Sequence, residues 1–151
     1  MSGRSLASLV QSRIDRIRAD HRSGAVALTH RAGDVLCLLA REQARSEREF
    51  RKRLAKVCRA LVESQPSMAP ILNLAKFVLV GTDEIFDLAE LKTGVKSSVR
   101  NFLERMEVDG QATSNTAANL IQDGMTVMTH SASQTVMSAL LRAAVLGRRV
   151  R

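Results

Sequence analysis

The side chains best suited to chemistry in this 151-residue chain stand together at Thr129, His130, Ser131 and Ser133. They interrupt the stretch "TVMTHSASQTV", in which a run rich in β-branched residues gives way to an Ala/Leu-rich helical pattern. If a strand ends near Thr129 and a helix starts near Ala132, the turn presents free backbone N–H groups at the positive end of the helix dipole. Short hydroxylated side chains add hydrogen-bond donors, so the turn predicts a binding site for a phosphate or a carboxylate.

A purely structural role explains the same serine. Ser131 and Gln134 fit an S-x-x-Q capping box, which satisfies the first N–H groups of the helix. The residue pattern alone leaves anion binding and capping both open. A nucleophilic serine is not favoured, because no acid stands nearby to orient His130 and the G-x-S-x-G elbow is absent.

Apolar residues at helical spacing predict a series of helices that precede this turn. We expect them over residues 4–20, after an N-cap at Ser23, within the charged segment 41–64, over 68–80, and over 84–106. Thr82 or Asp83 is the predicted cap of the last of these helices. The small polar residues that follow predict a bend and then a short helix that ends at Gly124.

The pattern changes after Gly124. "MTVMT" predicts a five-residue strand, a helix follows until Gly147, and "RRVR" resembles the start of another strand. A strand–helix–strand order opens a parallel sheet, and a lone strand cannot cover its own edges. We therefore expect a mainly α fold, with a helical N-terminal domain over residues 1–122 and the first strand–helix unit of a truncated α/β domain over residues 123–151.

Positive charge is concentrated in the first half of the chain. Residues 1–76 carry 15 Lys/Arg and 7 Asp/Glu, whereas residues 77–151 carry 8 of each, so the whole net charge of +8 lies in the first half. Five cations at spacings of three and four form a predicted basic ridge: Arg45, Arg48, Lys52, Lys56 and Arg59. Such a ridge is either a solvated helix face or a surface for an acidic partner, which could be a protein or RNA.

Composition excludes several classes of protein. The chain is 45% hydrophobic with no Trp or Tyr, which favours packed helices over a disordered chain or a β-sandwich. Cys37 and Cys58 are too few for a disulfide framework or a zinc site, so we expect buried free thiols in a reducing cytoplasm. No apolar run reaches the length of a membrane span. No metal site and no cofactor are predicted. Neither G-x-G-x-x-G nor a Walker A motif occurs, so direct catalysis of nucleotide exchange is not supported.

Two longer motifs resemble one known family. "LVESQPSMAPILNLA" is followed about fifty residues later by "IQDGMTVMTHSASQTVMSALLRAAVLGRRV". Both are similar to the alpha/beta/delta subunits of translation initiation factor two-B, whose superfamily includes ribose-1,5-bisphosphate and methylthioribose-1-phosphate isomerases. The resemblance runs from about Ser23 onward and is most specific at D-G (123–124) and T-H-S-x-S (129–133). It implies that the truncated α/β domain is Rossmann-like and that a sugar phosphate binds between the two domains.

The resemblance also implies which residues isomerase chemistry requires. In the isomerase branches a cysteine in a T-[HN]-C-N motif and a later aspartate move the proton, while arginines in R-G-A and R-P-[ST] motifs hold the phosphate. By position the cysteine falls on Ser131, and the two arginines fall on Ser23 (in S-G-A) and Gln65 (in Q-P-S). Serine and glutamine lack the bidentate guanidinium, and a hydroxyl ionises far less readily than a thiol. The aspartate is expected beyond residue 151.

The predicted function is therefore that of a non-catalytic binding or regulatory protein with a remnant phosphate or sugar-phosphate site. The residues assigned to this site are Ser23, Gly24, Ala25, Gly124, Thr129, His130, Ser131 and Ser133. The alternative is a ribose-1,5-bisphosphate-type aldose–ketose isomerase that is active only with a missing C-terminal half.

Partners are predicted from the same features. We expect protein partners or self-association, a phosphorylated sugar or nucleotide as ligand, and RNA as a further candidate for the basic ridge. We expect no membrane partner.

Overall fold

The computed structural model describes residues 6–130 and 133–151 of the chain, and the described part is helical. Its six helices are α1 (Leu6–Ala19), α2 (Ala25–Leu39), α3 (Glu47–Ser64), α4 (Ala69–Gly81), α5 (Leu88–Leu120) and α6 (Gln134–Val145). The chain divides into two compact units, and the boundary falls between Leu103 and Glu104. The mainly α prediction is confirmed. The predicted domain boundary between residues 122 and 123 stays a prediction.

The core of the first unit follows from the apolar spacing of its helices. On α1, Val10, Ile14 and Ile17 recur four and three residues apart, and all three are buried. Helices one or two positions apart in the sequence pack together, namely α1 with α2 and α3, α2 with α3 and α4, and α3 with α4. The largest fully buried side chains are Phe50, Ile14, Ile17, Leu28, Leu36, Leu39, Leu54, Leu61, Ile71, Leu74, Leu91 and Val35. Burial of each such side chain contributes about 1.5–3 kcal/mol to folding.

Gly33 allows α2 to approach the N-terminal half of α5. A Cβ atom at this position would lie 2.9 Å from Cγ1 of Val99 and 3.1 Å from Cδ1 of Leu103. These distances are shorter than carbon atoms in contact allow. The packing therefore requires a residue without a side chain at position 33.

The predicted N-cap of α2 is wrong. Gly24 is the N-cap residue, with φ −71° and ψ 165°, and no side chain caps the helix. The Ser23 hydroxyl instead donates to Oδ2 of Asp20 at 2.7 Å. This hydrogen bond to a charged acceptor turns the serine back toward the preceding helix.

The predicted start of α5 is also wrong. Asp87 caps this helix, because its Oδ1 accepts from the backbone N–H groups of Ala89 and Glu90 at 2.8 and 2.9 Å. Thr82 belongs to the end of α4, where its hydroxyl donates to the carbonyl of Val78 at 2.8 Å. The residues between them form the connection from α4 to α5.

The bend predicted after residue 106 does not form, and α5 continues to Leu120. Its small polar residues satisfy their hydroxyls within the helix. Thr113, Ser114 and Thr116 donate to the carbonyls four residues earlier, at 2.7, 2.8 and 3.1 Å. Back-bonding of this kind lets Ser and Thr occupy a helix interior without breaking it.

The strand predicted over residues 125–129 is not formed, and the described residues contain no strand. Val127 N–H donates to the carbonyl of Arg151 at 2.8 Å, and Arg151 N–H donates to the carbonyl of Met125 at 3.1 Å. This is the hydrogen-bond pattern of one parallel residue pair. A strand needs a run of such pairs, and Arg151 supplies a single one. The Rossmann-like assignment is therefore not confirmed by the secondary structure.

Gly147 ends α6 as predicted. Its φ is +78°, which glycine adopts without strain, and its N–H donates to the carbonyl of Ala144 at 2.9 Å. Arg148 N–H donates to the carbonyl of Ala143 at 3.1 Å, which completes a Schellman motif.

Both cysteines are free, Cys58 buried and Cys37 half-buried. Burial raises the pKa of the Cys58 thiol to about 12 and also raises the pKa of Cys37. A protonated thiol is a poor nucleophile. We therefore expect an alkylating reagent to modify Cys58 only after unfolding, while Cys37 reacts slowly in the native protein, as mass spectrometry of labelled peptides will show.

The raised pKa of Cys58 also links stability to pH. Its ordinary value of 9.0 applies to the unfolded chain, so the stability conferred by the protonated thiol is full below pH 9 and is lost as pH rises toward the folded value of about 12. Urea unfolding on both sides of pH 9 measures this loss. Cys58→Ala is the matched control and must show a flatter pH dependence; equal slopes in the two proteins would contradict the assignment.

Candidate functional site

An open cavity of about 480 Å³ lies at the predicted turn in the second unit. Its walls are mostly apolar, with polar groups contributed by the turn and by α5. The lining residues are Thr113, Ala117, Leu120, Ile121, Val127, Met128, Thr129, His130, Ser133, Thr135, Val136, Ala139 and Leu140. Three of the residues predicted for the site, Thr129, His130 and Ser133, thus line one cavity.

Ser133 is the N-cap of α6. Its Oγ accepts from the backbone N–H of Val136 at 3.4 Å, and its φ of −118° is extended. The sequence predicted a capping box of Ser131 and Gln134, whereas in the structure Ser133 is the capping residue. Ser131 lies outside the described residues. Because the first turn of α6 contains no acidic residue, its positive dipole end is not neutralised locally.

The start of α6 is held in place by α5. Ser114 is buried, and its hydroxyl donates to the carbonyl of Thr135 at 3.1 Å as well as to that of Gly110. At the other end of α6, the Arg148 guanidinium donates to the carbonyls of Ala118 and Ile121 at the end of α5. These contacts fix the helix whose N-terminus faces the cavity.

Gly124 lies at the turn that follows α5. Its φ of +80° favours glycine, and its N–H donates to the carbonyl of Arg149 at 2.8 Å. The neighbouring Asp123 accepts from the side chain and the backbone N–H of Arg149, and these hydrogen bonds lower the pKa of its carboxyl. Gly124 is not among the cavity-lining residues, so its predicted role in the site remains a prediction.

Ser23 lies in the first unit, in a cluster centred on Asp20. The Asp20 carboxylate accepts from the backbone N–H groups of Arg22 and Ser23 at 2.9 and 2.8 Å, from the Ser23 hydroxyl, and from the Arg31 guanidinium. These hydrogen bonds, those of Ser23 first, hold the pKa of Asp20 well below its usual range. Gly24 and Ala25, also predicted for the site, are the N-cap and the first residue of α2.

Gln65 reaches the same cluster from the end of α3. This buried side chain donates through Nε2 to the carbonyls of Ile17 and Asp20, at 2.8 and 3.0 Å. The two positions at which the isomerase resemblance requires arginine, Ser23 and Gln65, therefore both bond to Asp20. The sequence did not predict the roles of Asp20 and Arg31. A D-x-x-S pattern, typical of a turn, was present at Asp20. No local pattern indicates that Arg31, eleven residues later, bonds to it.

Four members of the predicted basic ridge lie on α3, and its role as a partner surface stays a prediction. Arg48, Lys52, Lys56 and Arg59 are exposed on this helix. Arg45 is not on it, because it precedes the N-cap Ser46 and donates through its backbone N–H to Oε2 of Glu49 at 2.8 Å.

No group of three or more His, Cys, Asp or Glu side chains able to hold a metal ion occurs in the part of the chain that the structure describes. None of the helices within residues 6–130 and 133–151 is long and apolar enough to cross a membrane.

The chain is similar to proteins of one family. The model of the Initiation factor 2 subunit family matches residues 21–151. A ribose 1,5-bisphosphate isomerase of Haloterrigena turkmenica is 28% identical over 139 residues, which are 91% of this chain and 42% of that protein. A putative translation initiation factor eIF-2B subunit 2-like protein of Pyrococcus abyssi is 31% identical over 129 residues, covering 82% of this chain and 41% of that protein.

Solved structures share the fold. The translation initiation factor eIF-2B of Pyrococcus horikoshii OT3 matches with a TM-score of 0.81 at 26% identity, over 94% of this chain and 48% of that one. The eIF2B beta of Chaetomium thermophilum matches with a TM-score of 0.68 at 20% identity, which shows the fold alone. The chain spans less than half the length of each of these relatives.

Proposed function

The chain belongs to the initiation factor 2 subunit family, and from this premise we propose that it is a non-catalytic binding or regulatory protein that holds a phosphate or sugar phosphate at the start of α6. The family resemblance of its two sequence motifs is confirmed by the same match. The relatives carry both names, initiation factor eIF-2B-like and ribose 1,5-bisphosphate isomerase. The choice between them must come from the residues of this chain.

One observation carries the non-catalytic assignment. Ser23 and Gln65 stand where the family resemblance implies phosphate-binding arginines in the isomerases. In this chain they are engaged with Asp20 and the end of α1. Neither side chain has a guanidinium to offer, and Gln65 is buried. A substrate phosphate would gain little from these two positions.

The cavity supports retention of an anion. Thr129, His130 and Ser133 line it beside the N-terminus of α6, where backbone N–H groups and the helix dipole favour negative charge. Hydroxyls and an imidazole add hydrogen-bond donors.

Ser133→Asp tests the proposal without removing the cap. Aspartate caps a helix about as well as serine, but its charge repels a phosphate. We expect titration calorimetry of the 151-residue chain with inorganic phosphate and with ribose 5-phosphate to detect binding, and Ser133→Asp to weaken it at least about ten-fold, equivalent to about 1.4 kcal/mol.

Ser46→Asp is the matched control, because Ser46 caps α3 through the same kind of hydrogen bond, to Glu49 N–H at 3.2 Å. It must leave phosphate binding unchanged. Absence of binding to the unchanged chain, or equal losses in the two variants, would overturn the proposal.

The isomerase remains the second candidate, favoured by the Haloterrigena turkmenica relative. Conversion of ribose 1,5-bisphosphate to a ketose by this chain in the presence of a C-terminal half would select it over the binding role.

We assign two further properties on the same premise. Residues 123–151 would begin a Rossmann-like domain, which the parallel pairing of Met125 and Val127 with Arg151 supports. The free thiols Cys37 and Cys58 support a reducing compartment, in line with the cytoplasm.

A further inference from the structure

The exposed side of α3 carries positive charge that the described structure does not neutralise. We call Arg48, Lys52, Lys56 and Arg59 the basic face. It lies opposite the buried stripe of Phe50, Leu54, Cys58 and Leu61, and within the described residues none of its four side chains makes a hydrogen bond or an ion pair. The other two arginines of the helix are engaged: Arg51 with Glu47 and the α4–α5 connection, and Arg53 with Glu42 and Glu49.

The connection between α4 and α5 carries the opposite charge. We call residues 83–87, "DEIFD", the acidic loop. The side chain of Asp83 is 86% exposed, and Glu84 and Asp87 are exposed beside it. Two large apolar residues accompany these acids, Phe86 at 80% exposure and Val80, just before the loop, at 77%. Exposed apolar groups ringed by charge are typical of a contact surface.

An open hollow of about 610 Å³ lies at the acidic loop. Its lining combines the apolar side chains of Leu79, Val80 and Ile85 with the carboxylates of Asp83 and Glu84. A lysine or arginine side chain matches this lining, because its aliphatic stem covers apolar surface while its head meets a carboxylate. The basic face is a source of such side chains.

Arg51 places the two surfaces next to each other. Its guanidinium donates to the carbonyls of Asp83 and Ile85 at 3.0 and 2.6 Å, so the acidic loop borders the first turns of α3. Arg48 and Lys52 lie in those same turns. A surface with adjacent patches of opposite charge is complementary to a second copy of itself rotated about a two-fold axis. The positive patch of each copy then meets the negative patch of the other.

We propose that the chain pairs with a second copy of itself through these surfaces, the basic face of each copy lying on the acidic loop of the other. The cations enter the hollow beside Asp83 and Glu84, and Phe86 and Val80 lose contact with water. The charges set the register and the association rate, so the dimer weakens as salt screens them. This pairing is independent of the phosphate site and of its test.

Two charge-reversal variants and their mixture test the proposal. Lys52→Glu with Lys56→Glu makes the face acidic, and Asp83→Lys with Glu84→Lys makes the loop basic. Each variant alone opposes like charges at both contacts of a dimer. In a mixture of the two, both contacts join opposite charges again. Sedimentation velocity on the full chain, at low and high salt, measures the dimer.

We expect the unchanged chain to dimerise at low salt, each variant to raise the dimer dissociation constant at least ten-fold, and the mixture to restore a heterodimer. Arg13→Glu with Lys96→Glu, at exposed positions on α1 and α5, is the control and must dimerise normally. Circular dichroism verifies that each variant is folded.

Three results would overturn the pairing: a monomer at every salt concentration, a dimer unaffected by either variant, or two weakened variants whose mixture stays monomeric. Salt-dependent binding of RNA by a monomeric chain, lost in Lys52→Glu with Lys56→Glu, would assign the basic face to nucleic acid instead.

Discussion

Phe50→Ala is expected to lower the free energy of unfolding of the first unit by about 3–5 kcal/mol, because it leaves a cavity in the middle of the helical core. Phe50 is fully buried on α3, and the ammonium group of Lys92 lies 5.7 Å from the centre of its ring. The substitution therefore removes buried apolar contacts and one cation–π contact. Urea unfolding followed by helical circular dichroism measures the loss.

Phe86→Ala is the matched control, since Phe86 is 80% exposed. In dilute solution, where chains do not associate, it must change stability by no more than about 0.5 kcal/mol. A loss below about 1 kcal/mol for Phe50→Ala would show that the core closes around the missing ring, which its position among α1 to α4 argues against.

Gln65→Leu is expected to destabilise the same unit by about 1–3 kcal/mol, although it keeps the side chain nearly the same size. The buried Nε2 group donates to the carbonyls of Ile17 and Asp20, and leucine leaves both without this donor. Gln65→Glu is expected to cost more, because a carboxylate cannot donate and brings a charge against two carbonyl oxygens. Urea midpoints at neutral pH rank the three proteins.

Gln43→Leu provides the comparison at an exposed glutamine in the connection between α2 and α3, and must be nearly neutral. If Gln65→Leu unfolds at the same urea concentration as the unchanged chain, Gln65 does not tie α3 to α1. It would then be free to meet a ligand, and the main support for a non-catalytic role would be lost.

The helices of the first unit are largely predictable because burial imposes a period on the sequence. The stripe of Val10, Ile14 and Ile17 predicted α1, and the two prolines after Ser64 located the gap between α3 and α4. Gly147 marked the end of α6 because only glycine adopts its backbone angles readily.

The errors in the helix caps arose where a polar side chain had several hydrogen-bond partners within reach. Ser23 had the sequence of an N-cap but bonds to Asp20, and Thr82 bonds to its own helix while Asp87 caps the next one. Local sequence gives the identity of a polar side chain but not which of several nearby groups it bonds to. The strand expected at residues 125–129 failed for another reason, since strands depend on partners distant in sequence.

The candidate site was predictable only where its residues are close together in the sequence. Thr129, His130 and Ser133 are close in sequence and line one cavity, so their grouping followed from the turn. The bonds of Gln65 to Ile17 and Asp20 span more than forty residues. A contact over that separation depends on the packing of α3 against α1, which no local pattern reveals.

The order in which helices pack has a consequence for how the chain folds. Because α1 to α4 pack on partners one or two helices away, their contacts close short loops and cost little chain entropy. Helical arrangements of such low contact order form in microseconds to milliseconds, far faster than a ribosome adds residues. The first unit can therefore assemble during synthesis, while the cavity at the start of α6 must wait for the last residues of α5 and α6 to emerge.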